Sequence, residues 1–266
     1  MFKYPAGNLY ILRLCNQIQM KEVEILLTKQ VQDHETPSAQ YLIFNQNKVI
    51  DRFTTGLAQI ENDVEANEST TYNAFSVTKT FTALAVLQLA EQHKIDLQAP
   101  VINYLAGFPY SSKISIIQLL SHTSGIPNPI PLSWIHLPAE HPQFASSNFF
   151  ARVFSKNRKL KSLPGRKFAY SNLGYVFLGR LIEKASGLSY EEFIVRNIIT
   201  RLDLKPSELS FRIHDPAKHA KGYHKIVSLS YAVLGFLIDK TRYFDKQEGP
   251  WKSFKNYYVN GASLAA

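Results

Sequence analysis

The sequence has a single cysteine, Cys15, in 266 residues. One cysteine excludes an intramolecular disulfide, so the chain gives no indication of an oxidising compartment. No stretch approaches the roughly 18 uncharged apolar residues of a membrane-spanning helix. The N-terminal segment has Lys3, then an apolar stretch from Leu9 to Leu14 that Arg13 interrupts, and no small-residue cleavage signal. We therefore expect a soluble protein without a membrane span, cytoplasmic as the chain is written.

Several common catalytic patterns are also missing. The sequence contains neither a Gly-rich phosphate loop nor a Gly-x-Ser-x-Gly motif, which disfavours nucleotide binding and the common esterase fold. His214, His219 and His224 recur every five residues, a spacing that suits neither a helix face nor a zinc pair. We expect no metal and no cofactor.

The chain is basic, with 30 Lys and Arg against 21 Asp and Glu and a formal net charge of +9. Such a surface favours anionic partners, but the charges are scattered and no nucleic-acid recognition motif accompanies them. We therefore expect no nucleic-acid partner. The densest cluster lies between Lys156 and Lys167, around Pro164-Gly165. We interpret it as a solvated loop, with a binding patch as the alternative.

Periodicity and turn residues predict the order of elements. A helix is predicted over 21–31, and two strand-like runs flank the turn Asn45-Gln46-Asn47 as a β-hairpin. Helices follow from about Ser76 to His93, from a Ser115/Gln118 capping box to about His122, over 173–185 before Gly187, and after Ser189. The stretches 226–238 and 257–259 are compatible with either strands or a short helix.

This segregation of strands and helices predicts an α+β fold and disfavours a doubly wound parallel sheet. We expect an antiparallel sheet flanked by helices, together with an all-helical lobe. The predicted boundaries are an irregular N-terminal extension at 1–20 and one domain at 21–266. Within that domain the helical lobe covers about 76–202, and the sheet lobe comprises 21–75 and the C-terminal part.

The motif Ser76-Val77-Thr78-Lys79 carries the most chemical information. Three residues of helix bring Lys79 to the same face as Ser76, which is the arrangement that activates a serine as a nucleophile. A lone Ser-x-x-Lys is a frequent chance match, and its bland interpretation is a helix N-cap with an exposed lysine.

A second motif, Tyr170-Ser171-Asn172, lies far downstream. A phenol has an ordinary pKa near 10, so Tyr170 acts as a base at neutral pH only if a cation such as Lys79 stabilises the phenolate. The amide of Asn172 can orient Lys79 or hold a substrate carbonyl. Taken by itself, this motif is also typical of a turn that precedes a helix.

Taken together, the motifs resemble those of the serine β-lactamase and penicillin-binding-protein superfamily, in particular its class C-like branch, which includes esterases and D-amino-acid peptidases. The matching segments run in the family's order: 75–82 (Phe-Ser-Val-Thr-Lys-Thr-Phe-Thr), 119–126 (Leu-Leu-Ser-His-Thr-Ser-Gly-Ile), 164–175 and 220–223 (Ala-Lys-Gly-Tyr). The resemblance covers about residues 35–263 and implies a β-lactamase/transpeptidase-like fold.

The resemblance also implies the site and its chemistry. Ser76 is the acylated nucleophile, Lys79 its proton partner, Tyr170 the general base and later acid, and Asn172 a substrate-positioning residue. The implied function is a serine hydrolase that forms an acyl-enzyme on a β-lactam, a short ester or a D-amino-acid amide. Its partner is a small-molecule or peptide substrate.

One departure from the family pattern motivates an alternative. Relatives carry a third motif, Lys-Thr-Gly or His-x-Gly, on a late strand, whereas here Lys240-Thr241 is followed by Arg242. The chain resembles a family member that lacks the final strands and the closing helix. The alternative function is therefore a catalytically weak or inactive relative that binds cell-wall peptides or a protein partner.

Two further sets of residues have open interpretations. We expect His122 to cap carbonyls or shape a loop, with a catalytic role as the less favoured alternative. Five aromatic residues are predicted either to line a substrate pocket or to pack in the core: Trp134, Phe144, Phe149, Phe150 and Phe154.

Overall fold

The computed structural model describes residues 20–129 and 134–259. The described chain divides into two compact units, one holding the residues up to Tyr72 together with Pro216–Lys255, and the other holding Asn73–Asp215 and the residues from Asn256. The predicted helical lobe at about 76–202 lies within the second unit, and nearly all of the predicted extension at 1–20 lies outside the described residues.

The described part of the first unit starts with helix α1 (20–32), followed by the predicted hairpin. Strands β1 (Ser38–Phe44) and β2 (Val49–Gln59) pair antiparallel, and β3 (Val64–Glu65) pairs with β2. The side chain of Asn45 accepts the backbone N–H groups of Asn47 and Lys48, at 2.9 and 3.0 Å, which stabilises the turn. The hairpin prediction is confirmed, with both strands longer than their apolar runs.

A second antiparallel sheet in the same unit has the order β5-β7-β6, from Tyr223–Lys225, Trp251–Phe254 and Phe244–Glu248. The ambiguous stretch at 226–238 forms helix α7 (Leu229–Leu237), because Ser228 caps it by accepting the N–H of Tyr231. A short helix α8 (Lys240–Tyr243) follows it.

The strands of the first unit thus form two small antiparallel sheets instead of one continuous sheet. The chain before β5 links the sheets, because the Lys221 N–H donates to the Ala58 carbonyl and the Ala220 N–H to the Thr71 carbonyl, both at 2.9 Å.

Helices dominate the second unit. They are α2 (Thr78–Glu91), α3 (Ile116–Leu120), α4 (Ser146–Lys156), α5 (Asn172–Ser186) and α6 (Tyr190–Ile194), which continues as a π-helical segment at Val195–Ile199. The lobe is not wholly helical, since β4 (Ile135–His136) pairs antiparallel with β8 (Tyr258–Val259). A two-residue strand is too short to show alternation in the sequence.

The helix boundaries follow local capping chemistry. The predicted capping box at the start of α3 is present, with the Ser115 N–H donating to the Gln118 side chain at 3.1 Å. Gly187 ends α5 in the left-handed conformation, with φ of +75°. Helix α3 ends at Leu120 instead of His122, because His122 itself has a left-handed backbone with φ of +56°. No helix in the described ranges combines the length and apolarity required to cross a bilayer.

The core of the second unit is built around α2 and α5, which contact each other along their apolar faces. Phe154 stacks on Phe177, with ring centroids 4.4 Å apart, and Trp134 meets Phe150 edge to face at 5.4 Å. Trp134, Phe150 and Phe154 are buried, and Phe149 packs against the same core. These four side chains therefore pack in or against the core, as one of the two interpretations predicted.

Candidate active site

Ser76 lies in a single 3-10 turn, Phe75–Val77, that leads directly into α2. One helical turn separates Ser76 from Lys79, so the Lys79 ammonium donates to Ser76 Oγ at 3.2 Å. Phe75 has φ of +39°, a left-handed conformation that is costly for a bulky residue. The backbone is therefore strained immediately before the serine, and Ser76 remains exposed to solvent.

Tyr170 reaches the same serine from the start of α5. Its Oη lies 2.9 Å from Ser76 Oγ, and the Lys79 Nζ lies 5.1 Å from the centre of its ring. Ser171 fixes this approach, because its Oγ accepts the Gly174 N–H at 3.1 Å as the N-cap of α5 and donates to the Pro127 carbonyl at 3.2 Å. The hydroxyl, the ammonium and the phenol therefore meet within hydrogen-bonding distance.

The environment of Tyr170 favours the phenolate. Partial burial by itself raises the pKa of Tyr170, but hydrogen bonds from Lys79 and Ser76, together with the positive charge of Lys79, outweigh burial and lower that pKa below its ordinary value of 10.0. The neighbouring Tyr175 behaves in the opposite way: burial and the charge of Tyr170 raise its pKa. Of these two phenols, only Tyr170 is placed to accept a proton from Ser76.

His122 lies behind Tyr170. Its ring is 4.6 Å from the Tyr170 ring and 4.9 Å from the Tyr175 ring, centroid to centroid. The Ser171 N–H donates to His122 Nδ1 at 3.1 Å, which leaves the ring proton on Nε2 in the neutral imidazole. Burial, assisted by the charge of Lys79, lowers the pKa of His122 and so favours the neutral imidazole.

Backbone hydrogen bonds join the loop that contains His122 to the segment before Tyr170. The Ala169 N–H donates to the His122 carbonyl at 2.7 Å, and the Gly165 N–H donates to the Thr123 carbonyl at 2.8 Å. Gly125 has φ of +74°, and a Cβ built on it would overlap the carbonyl oxygen of Ser162. Only glycine fits at this close approach of Gly125 to the Ser162 backbone.

Asn172 is the first residue of α5 and is half-buried. Its backbone N–H donates to Asn128 Oδ1 at 3.0 Å, which joins the start of α5 to the loop after Ile126. The role of its side chain toward substrate stays a prediction.

The arrangement is suited to proton transfer from an exposed alcohol. Ser76 Oγ contacts both a cation and a phenol whose pKa is lowered, which is the environment of an activated nucleophile. In the described parts of the chain, no three His, Cys, Asp or Glu side chains form a cluster suited to a metal ion.

A family model described as Beta-lactamase matches residues 23–237. The chain belongs to the beta-lactamase family. This is a family of serine hydrolases, and the motifs quoted above from Ser76 to Tyr223 fall within the matched range.

Two curated relatives match most of the length of this beta-lactamase family member. Protein flp of Staphylococcus aureus (strain MW2) is 28% identical over 221 residues, which are 79% of this chain and 42% of that protein. Penicillin-binding protein 4* of Bacillus subtilis (strain 168) is 30% identical over 193 residues, which are 71% of this chain and 42% of that protein. The chain thus spans less than half the length of these relatives.

Among solved structures, the D-amino acid amidase from Ochrobactrum anthropi SV3, complexed with D-phenylalanine, is similar with a TM-score of 0.71. The similarity covers 92% of this chain and 66% of the amidase, at 17% sequence identity. At that identity the comparison shows a shared fold and nothing further.

The structure brings together three of the four residues selected from the sequence, Ser76, Lys79 and Tyr170, and places Asn172 two residues beyond Tyr170. His122 was not selected, although its ring forms the support behind Tyr170. Its place near a helix end predicted a role in capping carbonyls or shaping a loop, which its bonds to Ser171 and Ala169 fit, but no sequence signal specified a contact with Tyr170.

Proposed function

We propose that this beta-lactamase family member is a serine hydrolase that forms an acyl-enzyme on Ser76. The observation that carries the proposal is the pair of contacts at Ser76 Oγ, 3.2 Å from Lys79 Nζ and 2.9 Å from Tyr170 Oη. A serine hydroxyl needs such a neighbouring base to react at neutral pH.

The proposed reaction begins when Ser76 Oγ attacks the substrate carbonyl carbon and its proton passes to the Lys79–Tyr170 pair. The carbonyl oxygen becomes an oxyanion, which the Ser76 backbone N–H stabilises; donors of this kind lower a barrier by a few kcal/mol each. Tyr170 then protonates the leaving nitrogen or oxygen as its bond to carbon breaks. Water attacks the resulting ester, loses a proton to Tyr170, and releases the acid as Ser76 regains its hydrogen.

The proposed substrates are strained or activated carbonyl compounds: a β-lactam, a short ester or a D-amino-acid amide. The name of penicillin-binding protein 4* supports the first class. No nucleic-acid partner is proposed.

A second candidate function is binding without turnover. Ser76 is exposed, and Tyr170 is 39% exposed to solvent. Water therefore surrounds the position where the oxyanion would form. Hydrogen bonds to an oxyanion stabilise it less in water than in a dry site. A ligand that acylates Ser76 slowly, or binds beside it, is then held without efficient hydrolysis.

Labelling with a fluorescent penicillin and with a fluorophosphonate probe tests the proposal. We expect covalent label on the peptide that contains Ser76, located by mass mapping, and no label in Ser76→Ala. Ser155→Ala is the matched control, because Ser155 is an exposed hydroxyl on α4 outside the site, and it should label normally. A folded protein that takes no label at Ser76 contradicts acyl-enzyme formation.

Turnover distinguishes the two candidates. Hydrolysis of a chromogenic β-lactam, a short aryl ester and a D-amino-acid anilide is measured for the wild type and for Ser76→Ala. Hydrolysis that depends on Ser76 supports the hydrolase and excludes binding alone. Label without turnover, or reversible ligand binding that survives Ser76→Ala, supports the second candidate.

A further inference from the structure

The second unit has a cavity that is separate from the Ser76 site. Its volume is about 300 Å³, and it lies between the loop 105–109, helix α4 and helix α5. Phe108, Phe154 and Phe177 contribute to its wall, and two guanidinium groups, those of Arg158 and Arg180, also line it. This volume is at the lower end of the range for small-molecule sites in proteins, and the lining offers both polar and apolar surface.

Arg180 is half-buried in this wall. Its guanidinium carbon lies 5.0 Å from the centre of the Phe154 ring and 5.8 Å from the Phe150 ring. Burial lowers the pKa of Arg180, and the charge of Glu183 opposes this only partly. One oxygen of the Glu183 carboxylate accepts the backbone N–H of Tyr190 at 3.1 Å, and no ion pair joins Glu183 to Arg180 among the described residues.

Neither Arg158 nor Arg180 forms a salt bridge with Asp or Glu in the part of the chain that the structure describes. Half-burial removes part of the water around the Arg180 guanidinium, so an anion that accepts from its donors is favoured there. Cation–π contact with Phe154 compensates for the charge, but it leaves the in-plane N–H donors available.

The sequence around the cavity is depleted of acid. Between Glu140 and Glu183 there is no Asp or Glu. The same stretch holds eight basic residues: Arg152, Lys156, Arg158, Lys159, Lys161, Arg166, Lys167 and Arg180. Of these eight residues, Arg158 and Arg180 line the cavity, and their two positive charges attract an anion there.

We propose that this cavity binds a small carboxylate with an apolar body. The apolar part of the lining would contact the apolar body, while Arg158 and Arg180 would bind the carboxylate through charge-assisted, bidentate hydrogen bonds. The basic stretch, interpreted from sequence as a solvated loop, then includes one side of a binding site. The inference does not depend on the proposed hydrolase function, because no residue of the Ser76 site lines the cavity.

Three probes measured by isothermal titration calorimetry test the site. They are 4-phenylbutyrate, which has both features, 4-phenylbutanol, which lacks the charge, and inorganic phosphate, which lacks the apolar body. We expect 4-phenylbutyrate to bind saturably with one site per chain, and each of the other two to bind at least about tenfold more weakly. Equal affinities for all three, or no saturable binding of 4-phenylbutyrate at about 1 mM, overturns the proposal.

Variants locate the binding. Arg158→Ala removes an exposed arginine of the cavity and should weaken 4-phenylbutyrate binding about tenfold or more. Arg152→Ala removes an exposed arginine of the same stretch that does not line the cavity, and should leave the affinity nearly unchanged. Equal losses in both variants assign the binding to net charge and overturn the site.

Arg180→Lys keeps the charge but not the planar fork, so it should also weaken binding, and thermal unfolding checks that this variant folds. If Arg180→Lys does not fold, Arg158→Ala still decides whether the carboxylate binds at the cavity. Binding that is unchanged in Ser76→Ala places the carboxylate outside the hydrolase site, whereas loss of binding in that variant overturns the separate cavity.

Discussion

The imidazole of His122 packs against the phenol ring of Tyr170, with ring centroids 4.6 Å apart and the ring planes inclined by 38°. The same imidazole accepts the N–H of Ser171, the residue that caps α5. His122 therefore holds both the ring of Tyr170 and the backbone that follows it. We infer that it is a positioning residue for the proposed base.

The variant His122→Asn tests that inference. Asparagine tolerates the left-handed backbone at this position, and its side chain can accept the Ser171 N–H, so the main loss is the ring behind Tyr170. We expect the acylation rate with fluorescent penicillin to fall about tenfold to a hundredfold, because small displacements of a catalytic group cost this much. Loss of the ring also exposes Tyr170, and because burial raises the pKa of Tyr170, the rate should rise at a lower pH. A normal rate and pH profile would show that the ring contact is incidental.

Lys79→Met tests the electrostatic coupling at the site. With Lys79 present, the lowered pKa of Tyr170 makes the phenolate available below pH 10. Without the lysine, the hydrogen bond and the positive charge that lower the pKa of Tyr170 are lost, while the burial that raises it remains. The pKa of Tyr170 therefore rises, and the phenolate forms only at higher pH. Tyrosinate absorbance in ultraviolet difference spectra should show this shift, and Tyr170→Phe should remove the affected signal. Lys94→Met, an exposed lysine after α2, is the control and should leave the titration unchanged.

Gly125→Ala should be strongly destabilising. The substitution combines an unfavourable left-handed backbone with overlap on the Ser162 carbonyl, and we expect unfolding free energy to fall by about 3 kcal/mol or more. Gly187→Ala is the matched control, because its φ of +75° is nearly the same but nothing lies within 4 Å of the added Cβ. There the loss should be about 1 kcal/mol. If urea unfolding gives the same loss of unfolding free energy for both variants, then the backbone at Ser162 moves away from the added Cβ at little cost.

In the first unit, Glu61 accepts hydrogen bonds from Lys221 and Tyr223. Burial raises the pKa of Glu61, but these two bonds outweigh it and lower the pKa below 4.5. A lowered carboxyl pKa gives a stability contribution that is fully present above the unfolded-state value, about 4.3, and is lost as pH falls through the folded-state value.

We therefore expect Glu61→Gln to lose about 1–3 kcal/mol at neutral pH and less below pH about 4. Chemical unfolding at several pH values measures this difference. Glu65→Gln, a nearby exposed carboxylate on β3, is the control and should change stability little at any pH. A loss for Glu61→Gln that is constant with pH would contradict the assigned role of its charge.

Much of the fold could be predicted because its signals are local. Asn45 fixes the hairpin turn through its own side chain, Ser115 and Gln118 form the capping box, and Gly187 ends α5. The pairing of β4 with β8 could not be predicted, since two-residue strands separated by more than a hundred residues leave no pattern in either segment.

The site shows the same division. The helical period alone determined that Lys79 would face Ser76, and the motifs determined the family. Tertiary structure decided that Tyr170 reaches Ser76, that His122 supports the phenol, and that Arg180 lies among phenylalanines beside a cavity. Local hydrogen bonds and helix geometry act over a few residues and are visible in a sequence. Packing between remote segments depends on how buried surfaces fit together, and only the folded chain specifies that.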